Sequence, residues 1–446
     1  MTTKHIKQNK QNKEASFNAT NNATSYDVLI VGGGMVGASL AVALIPLNLK
    51  VGLIDVYEFG VAEQPSYDDR AIALSYGSSL IYKGMGLWDE LASKTTPINK
   101  IHISDRGHFG AARLSAEQEN VAALGYLAES RILGKLLYDS LNKSNIELIV
   151  PATVSNIEEV DDETGDHTSH LKVTLQQGEQ THYLKTKLLV GSDGTQSKVR
   201  ELSGIGVNRS EYNQAALIAN ISTEKAHQNQ AFERFTETGP IALLPLSDNR
   251  CSLVWTHDTS QGREQLDATL ALDDEAFLKK LGDEFGYRLG RFTKVGKRSS
   301  YPLALVTSMQ NTAARTVIIG NASHTMHPVA GQGLNLALRD IAVLAELICQ
   351  YQSTDLGSEK LLKDYESLRK GDLKTTVRYT DSLVRLFSND NFILGHARAG
   401  GLMTIDRIAP LRKWITRQSM GINYRQSRLA RGLALRNSKE INLNPL

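Results

Sequence analysis

The chain has 446 residues, 41% of them hydrophobic and 22% charged, with a formal net charge of +2. That length exceeds a single ordinary domain, and the near-neutral charge leaves no electrostatic footprint for nucleic acid, so no nucleic-acid partner is expected. Its two cysteines, Cys251 and Cys349, are too few and too far apart for a disulfide framework or a thiolate metal site; no metal is expected in what reads as a cytoplasmic protein.

Residues 1–25 are rich in Lys, Asn, Gln and Thr, lack the apolar core of a signal peptide, and read as a disordered leader. A compact apolar strand follows, Val28, Leu29, Ile30 and Val31, running straight into Gly32, Gly33 and Gly34, then Gly37. The next helix carries small residues (Ala38, Ser39, Ala41, Ala43), and the chain returns through Val51, Gly52, Leu53 and Ile54 to Asp55. This is a dinucleotide fingerprint in its βαβ context. Gly32 makes the tight turn, Gly34 admits a pyrophosphate, Gly37 allows close helix–strand packing, and Asp55, about 20 residues on, can meet a ribose hydroxyl. FAD and NAD share the ADP half, so the fingerprint alone leaves both open.

Asp68, Asp69 and Arg70 precede the apolar run Ala71, Ile72, Ala73, Leu74; Arg70 is either a surface charge or a bidentate donor to a phosphate or ring carbonyl. Arg131 falls in the first turn of a helix opened by Glu129 and Ser130, where a cation opposes the helix dipole, which favours a ligand contact. Strands are expected at 146–150 and 171–175 with a solvated acidic tip at 158–166, and a further buried strand, Leu188, Leu189, Val190, ends at Asp193 and Gly194. From Gly206 to Pro302 alternating strands and one helix (274–285) indicate a mostly antiparallel domain inserted between two parts of the first.

The chain then returns with the apolar run Val317, Ile318, Ile319, a turn at Gly320, Asn321 and Ala322, and the loop His327, Pro328, Val329, Ala330, Gly331, Gln332, Gly333. Leu334, Leu338, Ile341, Ala345 and Ile348 recur at helical spacing, so a helix starts near Gly333. Glycines at a helix N-terminus bring free N–H groups and a partial positive charge close to an anionic group. From Asp355 the rest reads as helical. Beyond Asn391 ten Lys/Arg face two acids, Asp406 and Glu440, among Leu402, Met403, Ile405, Ile408, Trp414, Ile415 and Met420. Such a basic amphipathic segment suits an anionic membrane surface, a partner, or a solvated helix face.

The early G-x-G-x-x-G, the Asp193-Gly194 turn and the late His327-Pro328 to Gly331-Gln332-Gly333 loop, in this order, resemble the class A flavoprotein aromatic hydroxylases over residues 26–386. Segments such as Ser104-Asp105-Arg106-Gly107-His108 and Ala231-Phe232-Glu233-Arg234-Phe235 resemble their ubiquinone-biosynthesis branch. The resemblance implies an α/β fold: a p-hydroxybenzoate hydroxylase-like, Rossmann-like FAD-binding domain (26–205 and 305–375), an inserted mostly antiparallel β substrate domain (206–304) and a helical basic C-terminal region (376–446). It implies FAD held by Gly32, Gly34, Gly37, Asp55, Arg70, Arg131, Asp193, Gly320, Asn321, Gly331, Gln332, Gly333, Leu334 and Asn335, with Pro328, Gly331 and Gly333 at the site of chemistry. Asn321 stands where most of the superfamily has Asp; an amide can still bond a ribityl hydroxyl.

By the same resemblance, NAD(P)H is the transient reductant, and O2, through a C4a-hydroperoxyflavin, hydroxylates the ring of a polyprenylphenol such as 2-polyprenyl-6-methoxyphenol. Other ubiquinone-biosynthesis proteins and the inner face of the cell membrane are the implied contacts. Cutting the chain after Asn389 is then expected to spare short-chain phenols and to abolish turnover of a long-chain phenol in vesicles. Two alternatives stand: hydroxylation at another ring position, and a non-catalytic FAD-binding member of the biosynthetic complex. A flavin halogenase would need a W-x-W motif, whereas Trp88, Trp255 and Trp414 are scattered. No general base is named; His324 and His327 read as structural.

One expectation follows directly. A bulky residue at Gly34 blocks the pyrophosphate and abolishes FAD binding. A Gly34→Val protein that purifies with the flavin absorbance of the unaltered chain would show that the fingerprint is not the cofactor site.

Overall fold

The computed structural model describes residues 24–58, 71–108, 110–161, 169–387, 392–424 and 426–436. The leader before Thr24, Arg70 with its acidic neighbours, and the loop 162–168 lie outside the described residues.

In the first part of the chain, β1 (Thr24–Val31), α1 (Met35–Leu44) and β2 (Val51–Ile54) form a parallel βαβ unit, with Val28 opposite Val51. Next come β3 (Ala71–Ser75), α2 (Tyr76–Gly84), β4 (Thr96–Ile98), β5 (Lys100–Asp105), β6 (Ala111–Ser115), β7 (Gly125–Glu129) and α3 (Ser130–Asn142). The strands β8 (Glu147–Ile149), β9 (Thr153–Asp161), β10 (Ser169–Gln177) and β11 (Gln180–Gly191) and the short α4 (Lys198–Leu202) complete it. The middle holds β12 (Val207–Thr223), β13 (Gln230–Thr236), β14 (Gly239–Pro245), β15 (Arg250–Asp258), α5 (Glu264–Ala271), α6 (Asp274–Phe285), β16 (Phe292–Val295) and β17 (Ser299–Ser308). The last part runs β18 (Thr312–Ala313), β19 (Thr316–Ile318), β20 (His324–Thr325), α7 (Gln332–Tyr351), α8 (Glu359–Phe387), α9 (Phe392–Arg407) and α10 (Ala409–Ser419).

One sheet has the order β18-β19-β11-β1-β2-β8, parallel through its centre, with β10 and β9 extending it antiparallel from β11. Its central strands are buried on both faces, which is why they read as continuous apolar runs. The second sheet, β20-β17-β12-β15-β14-β13-β5-β6, is antiparallel except where β13 meets β5. A small third sheet, β3-β7-β4, joins them.

Two sequence expectations are corrected. The stretch 158–161 is strand rather than loop: Glu158 and Glu159 pair with Lys172 and Leu171, while the side chains of 158–161 stay exposed. The antiparallel sheet also extends beyond 206–304, because β5, β6 and β20 from flanking segments close its two edges. Strand pairing across more than a hundred residues leaves no local signature.

Helix α7 sits at the centre. Leu336, Leu338, Ile341, Leu344, Ala345 and Ile348 are buried against α1, α2 and α8. Its fully interior turn also carries charges. Arg369 on α8 donates from Nε to Asp340 Oδ1 (2.7 Å) and from a terminal nitrogen to Asp372 (2.5 Å), while Arg339 Nε reaches Asp372 at 2.8 Å. Two carboxylates and two guanidiniums thus neutralise one another out of water, all less than 10% exposed. Burial alone would lower Arg369, but Asp340 and Asp372 beside it hold it above the usual guanidinium range; burial alone would raise Asp372, and the two arginines hold it below the usual carboxylate range.

Removing one member of a buried ion network leaves its partner uncompensated, at about 3–5 kcal/mol. Arg369→Met is therefore expected to lower unfolding stability by about that amount in urea titrations. A loss within the error of the extrapolation would mean the network is solvated.

Candidate active site

The site is assembled mainly from backbone. β1 ends in Gly32, held at φ +98°, and a Cβ on Gly37 would overlap the Gly32 carbonyl, so only glycine lets α1 begin this close to the turn. Gly34 is the N-cap of α1, in extended conformation, with no side-chain cap and no acid in the first turn. Asp55 accepts the Gly33 N–H on one oxygen and the Tyr57 N–H (2.9 Å) on the other. It therefore braces the glycine turn as well as standing at its edge. Burial pushes its carboxyl up, against the lowering effect of the N–H groups of Tyr57, Gly33 and Val56.

The second helix N-terminus belongs to α7. Its N-cap, Gly331, is left-handed (φ +58°), again with no side-chain cap and no first-turn acid, and a Cβ on Gly333 would meet nothing within 4 Å. Gly320, also left-handed at φ +59°, turns the chain under Val36 and Ala337, and Asn321 beside it is exposed. Two uncapped N-termini and an open glycine cradle fit an elongated anionic cofactor such as FAD. The turn after β11 is more local. Asp193 is consumed there, accepting from Ser197 Oγ (2.5 Å), Lys198 N (2.7 Å) and Val199 N (3.1 Å) at the start of α4.

Side chains hold this backbone in place. Asn335, expected as a cofactor contact, spends its buried amide on the protein: it accepts from Ser75 N (2.8 Å) and Ser78 Oγ (2.7 Å) and donates to the carbonyls of Ala73 (2.8 Å) and Gly331 (2.6 Å). Gln332 is buried, its amide donating to Ser419 O at 3.4 Å, while Leu334 is half-buried. His327 accepts the Val329 N–H on Nδ1 (3.1 Å) and stacks edge-on to Tyr212, and His324 lies 3.7 Å from Asp340. Arg131 is paired with Glu129 (2.9 Å), so the acid at the helix N-cap accounts for a cation in the first turn; its head group is exposed at the rim of a cleft that reaches Pro328 and Gly331.

An apolar cavity of about 310 Å³ opens on the other side of Pro328 and Gly331. Ile101, Ile103, Ala112 and Leu114 of β5 and β6 form one wall, with Leu244 and Val254 of β14 and β15 beside them. Leu402 and Ile405 of α9, Ile415 of α10 and Met420 just beyond α10 form the far wall. Composition alone concealed this: the C-terminal segment is not merely a surface helix, because half its apolar residues face inward while Met403, Ile408 and Trp414 stay exposed. Truncation after Asn389 would remove a wall of the cavity, so the expectation that it spares short-chain substrates does not hold for this structure.

Burial pushes His327 down to about 4. Its ordinary value is 6.5, so the unfolded chain takes up a proton that the fold refuses. The stability it contributes is full above pH 6.5 and is lost as pH falls toward 4, amounting to about 3 kcal/mol at the limit. His327→Asn keeps an acceptor for the Val329 N–H and is expected to flatten the fall of thermal midpoint between pH 6.5 and 4. An unchanged slope would place the titration elsewhere.

The sequence of an FAD binding domain family matches residues 25–380. The chain is 36% identical to the ubiquinone hydroxylase UbiL of Rhodospirillum rubrum, over 92% of this chain and 93% of that one. It is 30% identical to the 3-demethoxyubiquinol 3-hydroxylase of Escherichia coli, over 89% and 98% of the two chains. In fold it is similar to the p-nitrophenol 4-monooxygenase PnpA of Pseudomonas putida, with a TM-score of 0.75 at 16% identity, covering 91% of this chain and 100% of that one. The chain thus belongs to the FAD-binding hydroxylase family of ubiquinone biosynthesis and is an FAD-dependent monooxygenase with NAD(P)H as reductant.

Proposed function

We propose that the protein hydroxylates the aromatic ring of a 2-polyprenyl-6-methoxyphenol. The observation that carries this reading is the apolar cavity, which has Pro328 and Gly331 at one end and the C-terminal helices at the other. A ring placed against Pro328 leaves hydrocarbon walls for the start of a prenyl chain.

FAD would lie along Gly32, Gly34 and Gly37, its ribose beside Asp55 and its pyrophosphate toward the N-terminus of α1. Arg131, Gly320 and Asn321 would follow the chain of the cofactor, and the N–H groups at Gly331, Gln332, Gly333 and Leu334 would face its ring system. Bound there, FAD supplies reduction by NAD(P)H and activation of O2. The helix dipole of α7 stabilises negative charge at its N-terminus, Asn335 keeps Gly331 in its left-handed turn, and the hydrocarbon walls exclude water from the reacting ring. Asp193 serves the turn before α4 and is assigned no ligand contact through its side chain.

Outside the cavity, Ile408 and Trp414 are 49% and 50% exposed, with the exposed Lys413 and Arg417 beside Trp414 in sequence. We assign this face to an anionic membrane surface or a biosynthetic partner that delivers the water-insoluble phenol, at about 1 kcal/mol per basic residue near a charged bilayer. One experiment covers both statements: the FAD-loaded protein, NAD(P)H and O2 with the long-chain phenol in anionic vesicles, products read by mass spectrometry. One oxygen atom added to the ring is expected, and Trp414→Glu is expected to slow turnover in vesicles while leaving a soluble short-chain phenol unaffected. NAD(P)H oxidation with no oxygenated product would refute the substrate reading, and an indifferent Trp414→Glu the delivery surface.

A further inference from the structure

The opposite face of the cavity wall carries a second, polar pocket of about 850 Å³ that the proposed reaction does not use. Strand pairing builds it. Phe232 on β13 stands opposite His102 on β5, and His102 opposite Arg113 on β6; two residues further along β13, Arg234 stands opposite Ser104. These side chains share one face of three adjacent strands, turned away from Ile101 and Ile103. Arg288, just after α6, and Arg407, in the last turn of α9, join the lining.

Among the described lining residues four arginines meet two carboxylates, and both carboxylates have partners. Asp406 accepts from the Arg113 backbone N–H (3.0 Å) and from Nη1 of the same residue (3.2 Å), and Asp105 lies 3.4 Å from His108. Glu284 is paired with Arg106. Among the described residues no carboxylate lies within ion-pair distance of Arg234, Arg288 or Arg407.

The backbone makes room for Arg234. Gly286 is left-handed at φ +87°, and a Cβ there would come within 3.1 Å of Arg234 Nη1. The guanidinium donates from Nη1 to the Phe285 carbonyl (2.8 Å), but its Nε is buried without an acceptor among the described residues. Burial and the charges of Arg106 and Arg288 lower this guanidinium, against the opposing effect of Glu284 and Asp105. His102 is 5% exposed, and its Nε2 is also without a partner. Unpaired polar atoms beside like charges destabilise a fold unless a ligand completes them.

We propose that this pocket binds a phosphate group, presented by the headgroup of an anionic phospholipid. Guanidinium groups match phosphate oxygens with paired N–H donors, and a phosphate would offset the unmatched charge of Arg234, Arg288 and Arg407. The lipid source follows from α9. Met403 and Arg407 line the polar pocket, Leu402 and Ile405 wall the apolar cavity, and Ile408 and Trp414 stand exposed beyond them. A headgroup held here seats the helix that closes the cavity against the bilayer supplying the phenol. That source rests on the membrane reading above, whereas the phosphate chemistry rests on the pocket alone.

The test uses calorimetry on the FAD-loaded protein with three probes: dihexanoylphosphatidylglycerol below its micelle concentration, dihexanoylphosphatidylcholine, and inorganic phosphate. The anionic lipid is expected to bind, phosphate to bind more weakly, and the zwitterionic lipid not to bind at the same concentration. Arg234→Gln and Arg288→Gln are each expected to weaken the anionic lipid about 10-fold or more. Arg291→Gln removes a charge that is 82% exposed and outside the pocket, and is expected to leave affinity unchanged. Because Arg288 is exposed, its variant decides the matter even if Arg234→Gln fails to fold. The full chain is also expected to float with vesicles containing phosphatidylglycerol and not with phosphatidylcholine alone. Binding of neither anionic probe would overturn the site, as would equal losses in Arg288→Gln and Arg291→Gln. Phosphate binding as tight as the lipid's, without flotation, would overturn the lipid source. Binding of a glutamate-rich peptide but of neither phosphate compound would overturn the phosphate assignment in favour of an acidic protein segment. Calorimetry with these probes involves no bilayer, phenol or turnover, so its failure is distinct from an indifferent Trp414→Glu in vesicles or a missing oxygenated product.

Discussion

A single carboxylate ties the molecule together. Asp340, in the buried middle of α7, accepts Arg369 of α8 on one oxygen at 2.7 Å; its other oxygen lies 3.4 Å from the Gly320 N–H and 3.7 Å from His324. The turn after β19, the central helix and the long helix behind it therefore share one neutralised charge cluster. Because a charge removed from water tolerates few geometries, the cluster sets the relative placement of three segments more tightly than apolar contacts alone would. The loop from His327 to Gly333 hangs between two of them.

The same logic recurs around the glycine turns. Where a ligand must meet backbone N–H groups, side chains cannot be the ligand-facing atoms, and they serve instead to fix the backbone. Asp55 holds Gly33, Asn335 holds Gly331, and His327 holds Val329, each with one or more direct bonds. These polar residues sit at the edges of the candidate cofactor site because left-handed glycines there are flexible unless braced.

The antiparallel sheet separates two chemistries by strand alternation. Along β5, Ile101 and Ile103 face the apolar cavity while His102 and Ser104 face the polar side with Arg113 and Arg234. Burial, reinforced by Arg288 and Arg113, pushes His102 down to about 4, so it remains neutral behind the cavity wall. Helix α9 closes both sides at once, with Leu402 and Ile405 inward and Met403 and Arg407 outward.

Local pattern alone determined the βαβ unit, its glycines, the helix after Gly333 and the family resemblance, because turn sterics and the 3.6-residue period act over a few residues. Only tertiary structure decided that β5 and β6 join the second sheet, that Asp193 and Asn335 spend their side chains on the protein, and that the basic tail walls a cavity. Each of those outcomes depends on partners far along the chain: Asn335 meets Ser75 across 260 residues, and Arg113 meets Asp406 across 293. A residue's type states what it can bond to, but its partners are set by which segments the core brings together, and hydrophobic burial, which assembles that core, carries no record of sequence distance.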